Sequence, residues 1–320
     1  MKILVTGATS LLGRTVVERL VARGDEVTVF QRHPSGLDVS EVLGDIAHTD
    51  AVERAAVGVD GVVHLAARVG VTGTWNEFEK TNIMGTTNVI AAAQNAGATR
   101  FVHVSSPAVA HVGQSLVGAD AGRADATSAR GPYARSKAFA EHAALAAHAS
   151  RMSVVVIRPH LVWGPGDTQL VGRIVERARQ GRLAIVGTGA SLIDSTYVDN
   201  AADALVAALD RAHDVGGRVF VASNGQPRPV RELINRIVRA AGLLPPKIHV
   251  PYSVARGGGL VVEKVWDHQG RTDDPPMTSF LAEQLGTAHW FDQRETRTAL
   301  GWTPAVTLEE GFARLAASFL

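Results

Sequence analysis

Short apolar runs alternate with longer amphipathic stretches through the first half of the chain. Residues 2–5, 26–30, 42–43, 61–65, 101–105 and 153–157 read as strands, with helices at 11–22, 77–94 and 133–148 between them. Strands that are apolar throughout must be covered on both faces, so the pattern predicts a parallel sheet with helices on either side. This is an α/β chain with a Rossmann-type doubly wound parallel sheet, and ligands of such sheets bind beyond the carboxyl ends of the strands. After Gly164-Pro165-Gly166 the pattern loosens into helices at 171–179, 199–209 and 231–240 and strands at 183–186 and 218–222. Residues 255–278 carry "RGGG" and "TDDPP" and read as loop or mobile flap over part of their length. The expected division is a first domain over 1–165, with 195–222 returning to it, and a smaller C-terminal α/β domain from 166–194 and 223–320.

Composition narrows the function. A length of 320 residues and 46% hydrophobic content allow a large core, and the formal charge of +1 with scattered arginines excludes a nucleic-acid footprint. The chain has no cysteine, which rules out disulfides, thiolate metal sites and a thiol nucleophile and fits a reducing cytoplasm. The twelve histidines show no metal-ligand spacing, so no metal is expected. The apolar run after Lys2 breaks at Thr6-Gly7 and reads as a strand rather than a signal peptide, and no run is long enough to span a membrane.

The stretch "TGATSLLG" at 6–13 turns the first strand into the first helix. Gly7 allows the tight turn, Gly13 lets helix and strand pack closely, and the helix N-terminus offers free amides to a pyrophosphate. Ser10 stands where a middle glycine is usual. At the end of the second strand the expected acid is absent and Gln31-Arg32 is present, a placement that favours the 2'-phosphate of NADP(H) over NAD(H).

Tyr133-Ala-Arg-Ser-Lys137 puts a phenol and an ammonium on one helix face, one turn apart. A nearby cation favours phenolate, so this tyrosine is expected to have a lowered pKa and to exchange a proton with a secondary alcohol or ketone. Ser106, at the carboxyl end of the fifth strand, is the candidate to hydrogen-bond the substrate oxygen.

With these residues the chain resembles the extended branch of the short-chain dehydrogenase/reductase family almost end to end. The likeness is carried by "TGATSLLG", "GDI" at 44–46, "HLAA" at 64–67, "TNIMGTTNV" at 81–89, "VSSPAV" at 104–109, "YARSK" at 133–137, "RPHLVWGPGD" at 158–167, "STYVDNAADAL" at 195–205 and "LGWTPAVTLEEGF" at 300–312. The resemblance implies Ser106, Tyr133 and Lys137 as a catalytic triad with Asn82 in support near the nicotinamide. It implies cofactor contacts from Gly7, Thr9, Ser10, Leu11, Leu12, Gly13, Arg32, Asp45, Ile46, Leu65, Ala66, Ala67, Asn82, Val104, Tyr133, Lys137, Pro159, Leu161 and Val162. Pro107-Ala108-Val109 replaces the acidic run of dehydratases. "RPHLVWGPGD" and "DDPPMTSF" look more like the 3β-hydroxysteroid dehydrogenase group, which includes bacterial ketoreductases acting on 2-alkyl-3-oxo acids. The implied substrate is bulky and apolar, with His111, His160 and Trp163 as candidate contacts and Val261, Val262, Trp266 and Met277 around it. Loop 113–131 is expected to cover the substrate, and a homodimer is expected through the helices at 77–94 and 133–148, using Ala138, Ala143 and Ala147. A sugar-nucleotide epimerase or reductase is the alternative, with Arg228 or Arg231 holding a diphosphate.

Overall fold

The computed structural model describes residues 1–70, 72–110, 113–269, 271 and 275–320, without the side chain of Asp267. Seven parallel strands form the central sheet: β1 (Lys2–Thr6), β2 (Glu26–Gln31), β3 (Ser40–Leu43), β4 (Gly61–His64), β5 (Arg100–Val104), β6 (Ser153–Pro159) and β7 (Val219–Ala222). Their order is β7-β6-β5-β4-β1-β2-β3, so the chain reverses direction across the sheet between β1 and β4 and opens a crevice there. The doubly wound parallel fold expected from the pattern is thus present.

Alternation along β1 shows why both faces are covered. Ile3 and Val5 enter one core with Val16, Leu20 and Leu205, whereas Leu4 enters the other with Phe30, Val62 and Phe101. Fully burying each such side chain contributes about 1.5–3 kcal/mol, which fixes the register, because a one-residue slip would exchange the two faces.

Three expectations need correction. The helix expected at 77–94 is divided into Trp75–Phe78, a π-helical turn Glu79–Met84 and the α-helix Gly85–Asn95. The π turn adds a residue to the hydrogen-bonded ring and turns Asn82 inward, where it is 1% exposed. Second, much of 255–278 is no loop: Tyr252–His268 is a helix packed against a second helix, Ser279–Gly286. A Cβ on Gly259 would lie 2.5 Å from backbone atoms of Thr278 and Ser279, and one on Gly286 would meet the Tyr252 ring at 2.4 Å. The glycines that resemble breakers are in part what lets these helices touch. Third, Leu116–Ala119 in the expected covering loop pairs in parallel with His289–Phe291 in a four-stranded sheet. Backbone hydrogen bonds anchor that loop along this stretch.

Ala138, expected on a dimer face, is fully buried with Val109, Ala124 and Ala126. On that helix Phe139 is exposed instead, with the Arg135 guanidinium over its ring and that of Trp75. Among the described residues no helix is long and apolar enough to cross a membrane.

Candidate active site

The crevice beyond β1 is shaped by two glycines. Gly7 has φ +80°, and a Cβ there would lie 2.8 Å from the Ala66 amide nitrogen; at Gly13 it would lie 2.3 Å from the Gly7 carbonyl oxygen. Ser10 caps the helix Leu11–Ala22: its hydroxyl donates to Gly7 O at 2.9 Å and accepts from Gly13 N at 3.0 Å. The serine at the glycine-like position therefore spends its hydrogen bonds on the turn. The amides of Leu11 and Leu12 are those a helix start leaves open, so the residues present fit a pyrophosphate held by backbone. Thr9 lies in the same turn.

Neighbouring strand ends complete this wall. Thr6 Oγ1 accepts from Ala66 N at 3.1 Å and is hydrogen-bonded to His64 Nδ1 at 2.7 Å, and His64 Nε2 is hydrogen-bonded to Thr86 Oγ1 at 2.9 Å. Leu65, Ala66 and Ala67 line the edge after β4, partly exposed. Asp45 Oδ1 accepts from Ala47 N, and buried Ile46 packs against Gly85. Arg32 is exposed just past β2. Arg14, absent from the sequence reading, reaches the same loop and donates to Ser35 O at 2.6 Å.

The helix Gly131–Ala146 begins with Pro132 in its first turn, a residue pre-set for helix entry. Tyr133 and Lys137 lie one turn apart, and Lys137 Nζ donates to Val104 O at 2.6 Å, beside the end of the serine strand. Ser106 stands beside the Tyr133 phenol, and both line the cavity described below. Its neighbour Ser105 is directed elsewhere, donating to Glu141 at 2.6 Å. Asn82 donates to Arg68 O at 3.0 Å and Ser136 Oγ at 2.9 Å and accepts from Arg68 N at 2.7 Å, while Ser136 donates to Tyr133 O. The π turn thus ties the loop after β4 to the tyrosine helix.

The electrostatics differ from the simple expectation. Burial raises the Tyr133 phenol above its ordinary value, and Ser106 beside it pulls it back. Burial thus outweighs the lowering expected from the spacing to Lys137. Desolvation lowers Lys137 to about 8 against the opposing charge of Glu141, so the amine is still largely cationic at neutral pH. Beneath it His64 is lowered to about 3, and His103 is also lowered; burial dominates in both, with the Lys137 charge next. Both rings are neutral.

Glu141 and Arg158 form a buried pair under the site, with Arg158 Nε 2.9 Å from Oε2 and Nη2 2.5 Å from Oε1, and Arg158 also holds Ala121 O. Neither was singled out from sequence. Their signal was present: Glu141 lies one further turn along from Lys137, and Arg158 opens "RPHLVWGPGD".

A cavity of about 760 Å³ runs from Ser106 and Tyr133 into the C-terminal half, within the size range of ligand pockets. Apolar residues including Leu161, Ile174, Leu183, Ile234, Phe280 and Phe291 line it together with Pro159, Trp266 and Met277. Leu161 has φ +44°, the one positive φ among described non-glycine residues. A bulky residue there costs on the order of 1–2 kcal/mol; the strain lies where the backbone passes between Pro159 and the short strand Val162–Trp163, which begins with the partly buried Val162. His160 is in the wall: its Nε2 donates to His289 Nδ1 at 2.9 Å, because His289 Nε2 is committed to Gln284 O at 2.7 Å.

Other expected contacts fare differently. Trp163 lines the cavity; its ring is 1% exposed, stacks on Phe312 and donates to Ser195 Oγ at 3.1 Å. Val261 faces outward at 61% exposure, and Val262 does not line the cavity. Arg228 pairs with Glu309 and Arg231 is exposed; neither lines the cavity. His111 lies outside the described residues.

A sheet of this order with a glycine turn at its switch point defines a dinucleotide-binding protein of the Rossmann type. The chain belongs to the NAD dependent epimerase/dehydratase family, the extended short-chain dehydrogenases/reductases, whose family model matches residues 3–222. It is 41% identical to a 2-alkyl-3-oxoalkanoate reductase of Stenotrophomonas maltophilia (strain K279a), over 99% of both chains. It is 31% identical to human sterol-4-alpha-carboxylate 3-dehydrogenase, decarboxylating, over 98% of this chain and 87% of that one. The solved structure of MoeE5 in complex with UDP-glucose and NAD superimposes with a TM-score of 0.76 at 25% identity, covering 99% of this chain and 98% of the other. The relatives support a dehydrogenase or reductase that uses a nicotinamide cofactor.

Proposed function

We propose that the protein is an NADP(H)-dependent ketoreductase for a bulky hydrophobic 3-oxo substrate of the 2-alkyl-3-oxo acid or 3β-hydroxysteroid type. The observation that carries this reading is the apolar cavity of about 760 Å³ that begins at Ser106 and Tyr133. In this reading residues 1–165 and 195–222 hold the cofactor, and 166–194 with 223–320 hold the substrate.

When bound, the nicotinamide ring supplies the hydride. Ser106 donates a hydrogen bond to the substrate carbonyl oxygen, and the Tyr133 O–H protonates that oxygen as the alcohol forms. Lys137, held at the strand end by Val104 O, keeps a positive charge one turn from the phenol and stabilises the phenolate that remains. Asn82 positions rather than reacts, since its amide is committed to Arg68 and Ser136. Leu11 and Leu12 amides hold the pyrophosphate, and Arg32 with Arg14 nearby holds the 2'-phosphate. His160 faces the carboxylate or carbonyl end of the substrate.

The alternative epimerase reading needs cationic groups at a sugar diphosphate; the two arginines nominated for it stand away from the cavity, but Arg173, Arg177, Arg182 and Arg271 line it, so substrate turnover has to separate the two readings. The test is NADPH oxidation with 2-alkyl-3-oxo acids and 3-oxosteroids beside incubation with UDP-sugars. Turnover with the apolar ketones and none with UDP-sugars is expected; the reverse would overturn the proposal.

A further inference from the structure

A buried carboxylate joins two walls of the cavity. Glu283 lies on the helix Ser279–Gly286, from which Phe280, Leu281, Gln284 and Leu285 line the substrate space. The Glu283 side chain is 2% exposed, and its Oε1 accepts from Arg130 Nη1 and, at 3.0 Å, from Arg256 Nε. Arg256 belongs to the neighbouring helix Tyr252–His268. Arg130 comes from far away in the chain: it immediately precedes the helix Gly131–Ala146 and stands three positions before Tyr133. Among the described residues, the other side-chain hydrogen bonds of Ser279–Gly286 stay within the C-terminal half, as from Ser279 Oγ to Glu263 at 3.0 Å.

Arg130 differs from an ordinary surface arginine. Helix starts favour Ser, Thr, Asp or Asn, whose side chains accept the open amides, and the positive end of the helix dipole disfavours a cation. Arg130 holds that position without capping the helix through its side chain, and its guanidinium is packed over Gly113, where a Cβ would lie 2.7 Å from Nη2. A local rule broken in this way is offset by a gain elsewhere, and here the gain is the contact with Glu283. The second oxygen of Glu283, Oε2, has no hydrogen-bond partner among the described residues. Both cations therefore act on one oxygen, and removing either leaves a buried charge short of partners.

We propose that Glu283 is a positioning residue: through Arg130 it holds the apolar wall at 280–285 in register with the Tyr133 phenol, and so selects substrates whose chains reach that wall while the ketone lies at the phenol. The choice of substrate rests on the ketoreductase reading; the link between the two helices rests on geometry alone. A long-chain substrate is held at both ends of the link, so loosening it loses wall contacts that are present in ground state and transition state alike, which raises KM and leaves kcat. A short-chain substrate touches only the tyrosine end.

The test uses Glu283→Gln and Arg130→Met, which remove the charge from either end of the link; Arg130→Met, at the surface, carries the test if Glu283→Gln does not fold. Steady-state kinetics with NADPH compare 2-octyl-3-oxododecanoate with 2-methyl-3-oxobutanoate, and hydrogen–deuterium exchange follows 279–286 in the full chain. In both variants KM for the long-chain acid is expected to rise about tenfold, while KM for the short-chain acid and kcat for either stay within about threefold. Exchange in 279–286 is expected to quicken as the helix loses its tie. A KM change equal for the two acids, or exchange no faster than in the parent, overturns the proposal. If the parent turns over neither acid, the ketoreductase reading fails by itself, and exchange in the two variants still decides whether Glu283 holds the wall.

Discussion

Arg32 and Ser10 show how differently two unusual residues can act beside one crevice. Ser10 replaces a small residue yet leaves the helix N-terminus accessible, because its hydroxyl folds back onto Gly7 and Gly13. Arg32 is exposed past β2 with Arg14 at the same loop, where the proposed function puts the 2'-phosphate. Arg32→Glu is expected to weaken NADPH by about tenfold, roughly 1.4 kcal/mol, while leaving NADH unchanged or improved; equal loss for both cofactors in a binding titration would place the 2'-phosphate elsewhere. The pattern of residue types made Gly7, Gly13, Ser106, Tyr133 and Lys137 legible from sequence, since each owes its position to local spacing or to a strand end. The pairing of Glu141 with Arg158, the place of His289 and the positive φ of Leu161 were not, because each depends on contacts between segments far apart in the chain. The direction of the Tyr133 shift was also misread: local spacing showed the ammonium but not the burial, which dominates.

At the scale of elements, alternation and strand boundaries predicted the sheet well because its apolar runs are continuous and each must be buried. The helix Tyr252–His268 was missed because three consecutive glycines read as breakers, and propensity cannot see the neighbour that wants a small residue. This separates the glycines by function. Gly257→Ala and Gly258→Ala, at positions where a Cβ meets nothing within 4 Å, are each expected to raise stability by about 0.5–1 kcal/mol. Gly259→Ala is expected to lower it by about 1–3 kcal/mol through overpacking on Thr278 and Ser279. Urea denaturation of the three variants checks the contrast, and a stabilised Gly259→Ala would mean the helices do not cross there. The π turn was equally invisible, since a one-residue insertion leaves the hydrophobic pattern of 77–94 nearly intact while moving Asn82 inward.

For the whole molecule, the buried histidines couple stability to pH. His64 and His103 are held neutral below an ordinary value of 6.5, His64 down to about 3. The unfolded chain takes up protons on these rings as pH falls through 6.5 and the folded protein does not, so their contribution to stability is full above that value and is lost progressively towards about 3. Thermal unfolding is therefore expected to shift downward between neutral and mildly acid pH. His103→Leu should reduce the slope at little cost at neutral pH, because neither ring nitrogen of His103 has a hydrogen-bond partner among the described residues. An unchanged slope would show that other groups set the acid limit.

The two halves of the molecule meet at the Tyr133 oxygen, where the crevice of the parallel sheet opens into the apolar cavity. Tyr133→Phe removes the hydroxyl proposed to donate the proton and leaves the ring in the cavity wall. With NADPH and a 2-alkyl-3-oxo acid, turnover should fall by about 10²–10⁴-fold, while NADPH affinity measured by fluorescence titration stays within about twofold. Turnover retained to within about a factor of ten would contradict proton transfer from this phenol.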